Sequence, residues 1–369
     1  MRPDVEDLQF RDPAKADVLA DRLATLQDQI GEPVAIMHVC GTHEQVIAKF
    51  GLRSRLPDGL SVRMGPGCPV CVTTMREVDE ALAIADSGAI VATYGDMFRV
   101  PGTARSLADA KAEGADVRVV YSAMDVAALA REHPDREVVF FATGFETTAA
   151  PTAAMLEADP PDNLSVLSAH KYVPPAMAAI AEMPDTDVDG FLAAGHAATI
   201  TGSGIFESFV EEYGIPVVVG GFEPLDVLGG LVALLELVAS GQPGLENAYP
   251  RCVSEAGNVA AQDAMWRVFE QRTGEWRGLA EIPAGCLDLA PAYADWNARE
   301  RFDVEPAAAT VDPLTEQCRC GDIMAGKASP EDCPLFGGAC VPSDPVGACM
   351  VSSEGTCKIW YEYGGHPDL

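Results

Sequence analysis

Between residues 33 and 240 the sequence alternates short apolar, β-branched runs with longer alanine-rich stretches. The short runs are continuously apolar, which is typical of strands with both faces buried. Such strands, alternating with helices, predict parallel sheets covered by helices. We therefore predict an α/β protein with strands at residues 34–39, 89–93, 117–121, 138–142, 165–168, 190–194 and 216–219. Helices are predicted over residues 74–87, 103–113, 124–132, 147–157, 174–182, 204–213 and 225–240.

A break at residues 133–136, His-Pro-Asp-Arg, divides this alternation into two units of similar length. We predict two similar, Rossmann-like α/β domains with parallel sheets, one over residues 30–135 and the other over residues 136–245. Ligands of such sheets bind where the carboxyl ends of the strands run into helices. Candidate functional residues are therefore sought at these corners.

Beyond residue 245 the pattern changes, and residues 246–369 are predicted to form a third domain. A helix is predicted over residues 256–272 and an irregular stretch over residues 278–306. The remainder is rich in cysteine, glycine and proline and has little periodicity, so a metal centre would replace a hydrophobic core there. A helix within residues 1–29 could pack on this third domain.

The charge and hydropathy of the chain exclude several functions. It has 56 acidic and 25 basic residues and a formal net charge of −31, which disfavours binding to nucleic acid or to anionic membranes. The longest strongly apolar run, residues 228–239, is shorter than the roughly 20 residues that cross a bilayer. The polar, acidic N-terminus differs from a secretory signal. We therefore expect a cytoplasmic protein without nucleic-acid or membrane partners.

Six of the eleven cysteines lie within the forty residues from 318 to 357, with no histidine between them. An all-thiolate set selects zinc or an iron–sulfur cluster over hard cations. Zinc sites usually contain two tight Cys-x2–4-Cys pairs, which are absent here. The wider gaps favour a cubane cluster wrapped by loops. The six residues are Cys318, Cys320, Cys333, Cys340, Cys349 and Cys357.

A second motif, Gly65-Pro-Gly-Cys-Pro-Val-Cys71, contains a Cys-x-x-Cys pair. Such a pair can close a small disulfide ring, and a thiol at a helix N-terminus has a lowered pKa. Cys68 and Cys71 are therefore predicted to be a redox dithiol. Half of a zinc site and a pair of inert buried thiols are the alternatives.

A third motif, Cys40-Gly-Thr-His-Glu44, follows the first predicted strand. Cys40 precedes a predicted helix, which favours its thiolate, and His43 and Glu44 would share its helical face. A thiolate beside an imidazole fits an iron or zinc site or an activated nucleophile. A purely structural cysteine is the alternative.

Two further strand-to-helix corners repeat the order of a glycine followed by a glutamate. They are Gly144-Phe-Glu146 and Gly221-Phe-Glu223. Each corner could be a tight turn whose glutamate is favoured by the helix dipole. If these corners and the Cys40 motif faced one cleft, they would form a functional site.

Together, these motifs resemble the HypD family of nickel–iron hydrogenase maturation factors. The resemblance covers residues 30–363 and includes residues 143–148, Thr-Gly-Phe-Glu-Thr-Thr, and residues 345–355, Pro-Val-Gly-Ala-Cys-Met-Val-Ser-Ser-Glu-Gly. It implies two similar α/β domains and a third domain with a 4Fe–4S cluster. The implied cluster ligands are Cys320, Cys333, Cys340 and Cys357, while Cys318 and Cys349 fall outside the family pattern. Cys252 and Cys286 match no family motif.

The resemblance also implies an assembly scaffold rather than an enzyme that turns over a small molecule. With a small HypC-type chaperone, it would hold iron while Fe(CN)2CO is assembled with cyanide from HypE, and it would serve the hydrogenase large subunit indirectly. Cys40 would be an iron ligand and His43 a second ligand or proton donor, with Glu44 orienting His43. Cys68 and Cys71 would cycle between dithiol and disulfide with electrons from the cluster.

Two other functions compete with this scaffold. A stand-alone iron–sulfur thiol–disulfide oxidoreductase accounts for the Cys-x-x-Cys pair and the C-terminal cysteines, but it gives Cys40, His43 and Glu44 no role. A zinc-stabilised binding module without redox function accounts for the C-terminal cysteines alone. Iron content and the infrared bands of cyanide and CO distinguish the three.

Overall fold

A computed structural model describes residues 10–184, 186–279, 281–302 and 314–364 of the chain. Its strands are β1 Val34–His38, β2 Leu60–Met64, β3 Ile90–Tyr94, β4 Val117–Val120, β5 Val138–Gly144, β6 Leu164–Lys171, β7 Gly190–Ala194, β8 Val217–Gly220, β9 Leu245–Asn247, β10 Phe269–Glu275 and β11 Glu281–Leu289.

The helices α1 to α8 are Pro13–Ile30, Gly41–Lys49, Pro69–Val72, Met75–Asp86, Leu107–Ala112, Ala123–Glu132, Glu146–Glu157 and Val173–Ala181. The helices α9 to α15 are Gly195–Thr201, Glu207–Tyr213, Pro224–Ser240, Val259–Val268, Ala298–Arg301, Cys320–Met324 and Thr356–Tyr363. No helix in these described stretches is both long and apolar enough to cross a membrane.

The strands form two sheets, which confirms the predicted α/β class. The first sheet has the order β2-β1-β7-β8-β9, and all its strands are parallel. The second sheet has the order β10-β11-β6-β5-β3-β4. Its strands β3 to β6 are parallel, and β11 and β10 continue it in antiparallel pairing.

The predicted boundary between residues 135 and 136 does not separate the two sheets. The stretch before it contributes β1 and β2 to the first sheet but β3 and β4 to the second. The His-Pro-Asp-Arg break is a turn between α6 and β5 within the second sheet, since β5 pairs with β3. A proline-containing turn and an interdomain linker have the same composition, so the sequence did not distinguish them.

The N-terminal helix α1 packs on α11 of the first sheet, and the expected packing on the C-terminal region is wrong. Its residues Leu23 and Leu26 are buried in one apolar cluster with Leu231 and Leu234 of α11. Arg22 also pairs with Glu236 of α11 at 2.6 Å. Residues 1–9 of the segment predicted to carry this helix lie outside the described residues.

The region after residue 256 differs from its prediction in two elements. The helix α12 ends at Val268, so the last residues of the predicted helix lie in strand β10. The stretch predicted to be irregular contains β11 and α13. Pro283 and Gly285 suggested a loop, but they occur where the β10–β11 register is interrupted between Arg272 and Gly274, so the strand tolerates them.

The C-terminal region, defined here as residues 314–364, completes the core of the second sheet. Its buried cysteines belong to the same apolar cluster as Cys68, Cys71 and the fully buried Trp276. The region therefore packs against the Cys-x-x-Cys loop.

Candidate iron and redox site

Cys40 lies at the carboxyl end of the parallel strand β1 and is the N-cap residue of α2. Its side chain is buried and packs with Ala194 at the end of β7, with Ala197 of α9 and with Phe222. Because β7 and β8 are the next strands of the same sheet, the thiol lies at the shared edge where three strands end. This is the position predicted for a ligand-binding corner.

Two glycines bring three sequence motifs into direct contact at this corner. The N–H of Gly41 donates to Gly67 O at 3.1 Å. A Cβ at Gly67 would overlap the backbone of Cys40, and a Cβ at Gly41 would overlap the backbone of Glu354. Backbone therefore packs directly on backbone where three segments meet. These are the Cys40 motif, the Cys-x-x-Cys loop and the Ser-Ser-Glu loop of residues 352–354.

Cys68 and Cys71 form a disulfide, and both side chains are fully buried. Cys68 is the N-cap residue of the one-turn helix α3, and its sulfur accepts the N–H of Cys71 at 3.2 Å. The pair is thus in the oxidised form of the predicted dithiol. Its exchange of electrons stays a prediction.

All six C-terminal cysteines line one cavity, called the cysteine cavity below. Its wall consists of Cys318, Cys320, Cys333, Cys340, Cys349 and Cys357 with Ile323, Phe336, Gly347 and Met350. The Sγ atoms of Cys320 and Cys349 are 3.0 Å apart, so Cys349 belongs to the wall although it falls outside the family pattern.

The donors of the cysteine cavity fit an iron–sulfur cluster. Every potential ligand is a thiol, and the other walls are apolar, which matches the ligation of such clusters. Among the described residues no three His, Cys, Asp or Glu side chains are arranged for a single metal ion. A cubane with one thiolate on each iron uses more widely spaced donors than one ion does.

His43 turns away from the C-terminal region toward the corner after β8. Its Nε2 lies 3.0 Å from Gly221 O, and its ring stacks on Phe222 with centroids 4.7 Å apart. A carbonyl can only accept, so Nε2 carries the proton and the buried, unpartnered Nδ1 presents a lone pair. Burial, helped by His38, lowers the pKa of His43 to about 3, so the ring is neutral.

Glu44 does not orient His43, contrary to the expectation from the resemblance. One oxygen, Oε2, accepts from His38 Nε2 and Arg53, both at 2.8 Å, and Oε1 accepts from Trp360 Nε1 at 2.6 Å. Burial opposes its ionisation, but Arg53 and His38 hold the pKa of Glu44 well below its usual range. Glu44 is a charged structural residue that joins α2 to α15.

The thiol of Cys40 is less acidic than its position on a helix N-terminus predicts. Burial raises the pKa of Cys40 to about 12, and the nearby Glu354 adds to the rise. Backbone N–H groups of His43 and Thr42 act in the predicted direction but are outweighed. A bound cation would have to displace the proton of this thiol.

Homologous proteins cover nearly the whole chain. A sequence model of the family described as "HypD: Hydrogenase formation hypA family" matches residues 14–364. The chain belongs to the HypD family.

Three named relatives of this HypD-family chain are called hydrogenase maturation factor HypD. The protein of Cupriavidus necator is 42% identical over 98% of this chain and 97% of its own length. That of Rhodobacter capsulatus is 43% identical over 97% of each chain. That of Escherichia coli K12 is 42% identical over 94% of this chain and 93% of its own length. The family is therefore one of hydrogenase maturation factors.

The Gly-x-Glu corners of the HypD-family chain do not bring their carboxylates together. Glu146 is fully buried, with Oε1 accepting the N–H of Val173 at 3.0 Å and Oε2 unpartnered, and burial raises the pKa of Glu146 to about 7. Glu223 pairs with Arg11 near the surface. The corner at Gly221 contacts the Cys40 motif, through His43.

Two acidic residues at the site were missed by sequence reasoning. Thr42 donates to Glu354 at 3.2 Å, which places that carboxylate beside the N-terminus of α2. Asp96, at the end of β3, accepts from Ser352 and from both the N–H and the hydroxyl of Ser353. The Ser-Ser-Glu sequence was a visible motif, but no local pattern links Asp96 to it.

The two remaining cysteines lie outside this site. Cys252 is exposed, and Cys286 on β11 lies 3.4 Å from the buried ammonium group of Lys171. Lys171 pairs with Glu77 at 2.7 Å.

Proposed function

We propose that this protein is a scaffold on which the Fe(CN)2CO unit of nickel–iron hydrogenase is assembled, with an internal dithiol and a 4Fe–4S cluster. The observation that carries the proposal is the direct packing of three motifs. The Cys40 corner contacts the disulfide loop, and that loop belongs to the same core as the cysteine cavity. A metal ligand and two redox groups thus occupy one continuous part of the molecule.

The substrate iron would be bound by Cys40. Soft thiolates suit low-valent iron that carries cyanide and CO, and the N-terminus of α2 tolerates negative charge. His43 offers the unpartnered Nδ1 as a second donor or a proton acceptor. Its Nε2 is fixed on Gly221 O, so the ring cannot turn without losing that bond.

The shortage of local donors supports a shared iron site. Within the described part of the chain no three suitable side chains converge on one ion. An iron on Cys40 would therefore take further donors from a HypC-type chaperone and from its own cyanide and CO ligands. HypE as the cyanide donor and the hydrogenase large subunit as the final recipient belong to the same proposal, as does a cytoplasmic location.

The cluster ligands are proposed to be Cys320, Cys333, Cys340 and Cys357. The cluster would supply single electrons at low potential when bound. Reduction of the disulfide breaks the Cys68–Cys71 S–S bond with two electrons and two protons and leaves two thiols. Because both sulfurs are fully buried, this reduction would be fed from within the protein.

The same burial disfavours the stand-alone oxidoreductase. An enzyme that reduces protein disulfides needs an accessible attacking thiol, whereas neither sulfur of this pair is exposed. That alternative also leaves the contact between Gly67 and Cys40 without a purpose.

The test is co-purification with a HypC-type chaperone, followed by metal analysis and infrared spectroscopy. We expect about four irons for a cubane, additional iron in the complex, and infrared bands from cyanide and CO. Cys40→Ala should keep the cluster iron and lose the bands, whereas the exposed Cys252→Ala is the matched control and should keep both. Normal bands from the Cys40→Ala complex would show that the iron is bound elsewhere.

A further inference from the structure

The segment Trp276–Gly278 lies between the disulfide loop and the cysteine cavity. The N–H of Arg277 donates to Val72 O at 2.8 Å, and Val72 directly follows Cys71 in α3. Trp276 is fully buried in the apolar cluster that contains the disulfide. One side of the segment is therefore fixed to the disulfide helix.

The other side of the segment packs on the residue that follows Cys320 of the cavity wall. A Cβ at Gly278 would lie 2.7 Å from Gly321 Cα and 2.8 Å from Gly321 N, so the two backbones touch. Gly321 directly follows Cys320 at the start of α14. Arg277 is thus held within a few residues of both the disulfide and the cysteine cavity.

The guanidinium of Arg277 is a cation without a dedicated carboxylate. Nη2 donates to Pro101 O at 2.9 Å, and the buried Nε has no partner. Among the described residues it makes no ion pair, although most other half-buried arginines do. Its charge is therefore free to act on whatever occupies the cavity.

The charges around Arg277 are consistent with this position. Burial lowers the pKa of its guanidinium, and three thiols of the cavity oppose that effect. These thiols belong to Cys320, Cys349 and Cys318. A half-buried cation close to thiolates favours additional negative charge on them.

We propose that Arg277 raises the reduction potential of the cofactor in the cysteine cavity, and so favours the entry of electrons into the cluster that feeds the Cys68–Cys71 disulfide. This inference rests on the proposed function. Each electron that enters the cluster adds one negative charge, which a nearby cation stabilises. An external one-electron reductant supplies two electrons in succession, and these break the S–S bond while two protons complete the thiols.

The test is a redox titration of the loaded, full-length protein, followed by visible absorption and electron paramagnetic resonance. We expect Arg277→Met to disfavour cluster reduction about tenfold, a shift of about 59 mV to lower potential for a one-electron couple. Arg277→Lys keeps the charge and should retain most of the potential. Arg99→Met is the matched control, since Arg99 is exposed and contacts the C-terminal region only through Pro342 O.

A second readout follows the disulfide. With a limiting amount of dithionite, thiol trapping at equilibrium should find more reduced Cys68–Cys71 pairs in Arg277→Met than in the wild type and Arg99→Met, because a cluster of lower potential passes its electrons to the disulfide more readily. A merely structural role for the arginine would change neither the potential nor this distribution.

The outcomes separate the inference from the proposed function. A wild-type protein that holds no iron and sulfide in the cavity would overturn both. A loaded Arg277→Met protein with the wild-type potential would overturn the inference alone. If the Met variant does not keep its iron, Arg277→Gln replaces it, because the amide can still donate to Pro101 O. Loss of iron from both neutral variants would make Arg277 a folding residue and overturn the inference.

Discussion

Single glycines determine how closely the proposed iron ligand and the disulfide approach each other. At Gly67 any side chain would overlap the backbone of Val39 and Cys40. Gly67 is not in a left-handed conformation. The glycine is therefore required by close packing rather than by its backbone angles.

Gly67→Ala is expected to lower the thermal unfolding midpoint and to separate the Cys40 corner from the disulfide loop. Overpacking of this kind costs about 1–3 kcal/mol. Gly229→Ala is the control, because Gly229 lies inside α11 with nothing within 4 Å of its would-be Cβ. Alanine is favoured over glycine in a helix by about 1 kcal/mol, so the control should be neutral or stabilising. A Gly67→Ala protein as stable as the control would refute the packing argument.

At this scale the sequence predicts which residues are reactive but not what they touch. Cys40, Cys68 and Cys71 were identified from their motifs, since thiols at strand-to-helix corners have recognisable chemistry. Glu44 was assigned to His43 because the two are neighbours in the chain. One of its actual partners, Trp360, comes from a distant segment, and only the folded chain brings the two together.

Among the parts of the chain, the C-terminal region is the one whose order depends least on apolar packing. It contains two short α-helices, α14 and α15, joined by loops, and five of its six cysteines are buried. A cluster bound to these thiols would take the place of a core.

Cys333→Ala and Cys340→Ala are each expected to lose the visible absorption of the cluster and to loosen the C-terminal region. Cys349→Ala should keep the colour if the four ligands are those implied by the family pattern. Iron and sulfide analysis with circular dichroism measures both effects. Because Cys349 lies 3.0 Å from Cys320 in the same wall, loss of iron from Cys349→Ala would move that residue into the ligand set.

Most of the strands that the sequence predicts are buried on both faces, and the edge strand β4 is the exception. β5 and β6 are buried along their whole length, and both were recognised. β2 and β11 alternate between more and less buried positions, and both were missed. β2 is an edge strand of the first sheet, so its mixed pattern carries less signal than a central strand.

At the scale of the whole molecule, the C-terminal region contacts residues beside both sheets. Trp360 donates to Glu44 beside the first sheet, while Ser352 and Ser353 donate to Asp96 at the end of β3 in the second sheet. The C-terminal region therefore links the Cys40 corner to both sheets. The order of that region depends in turn on its cysteines.

Removal of the bound metal by a chelator is expected to speed amide hydrogen exchange in residues 348–363 and, through Trp360 and Glu354, in α2. Strand β5 is paired on both sides and should keep its protection, which makes it the internal control. Exchange measured by mass spectrometry before and after chelation tests this coupling. Faster exchange limited to the loops that carry the C-terminal cysteines would show that loss of the metal does not affect the Cys40 corner.

The interleaving of the two sheets has a consequence for synthesis on the ribosome. β1 and β2 are synthesised early, but β1 cannot pair with β7 until Gly190, the partner of Ile36, has been made. The entire parallel part of the second sheet is made in between. Glu354 and Trp360 reach the Cys40 corner later still. A nascent chain would therefore contain Cys40 long before the residues that surround it in the folded protein have been made. A partially made protein is thus poorly suited to bind metal prematurely.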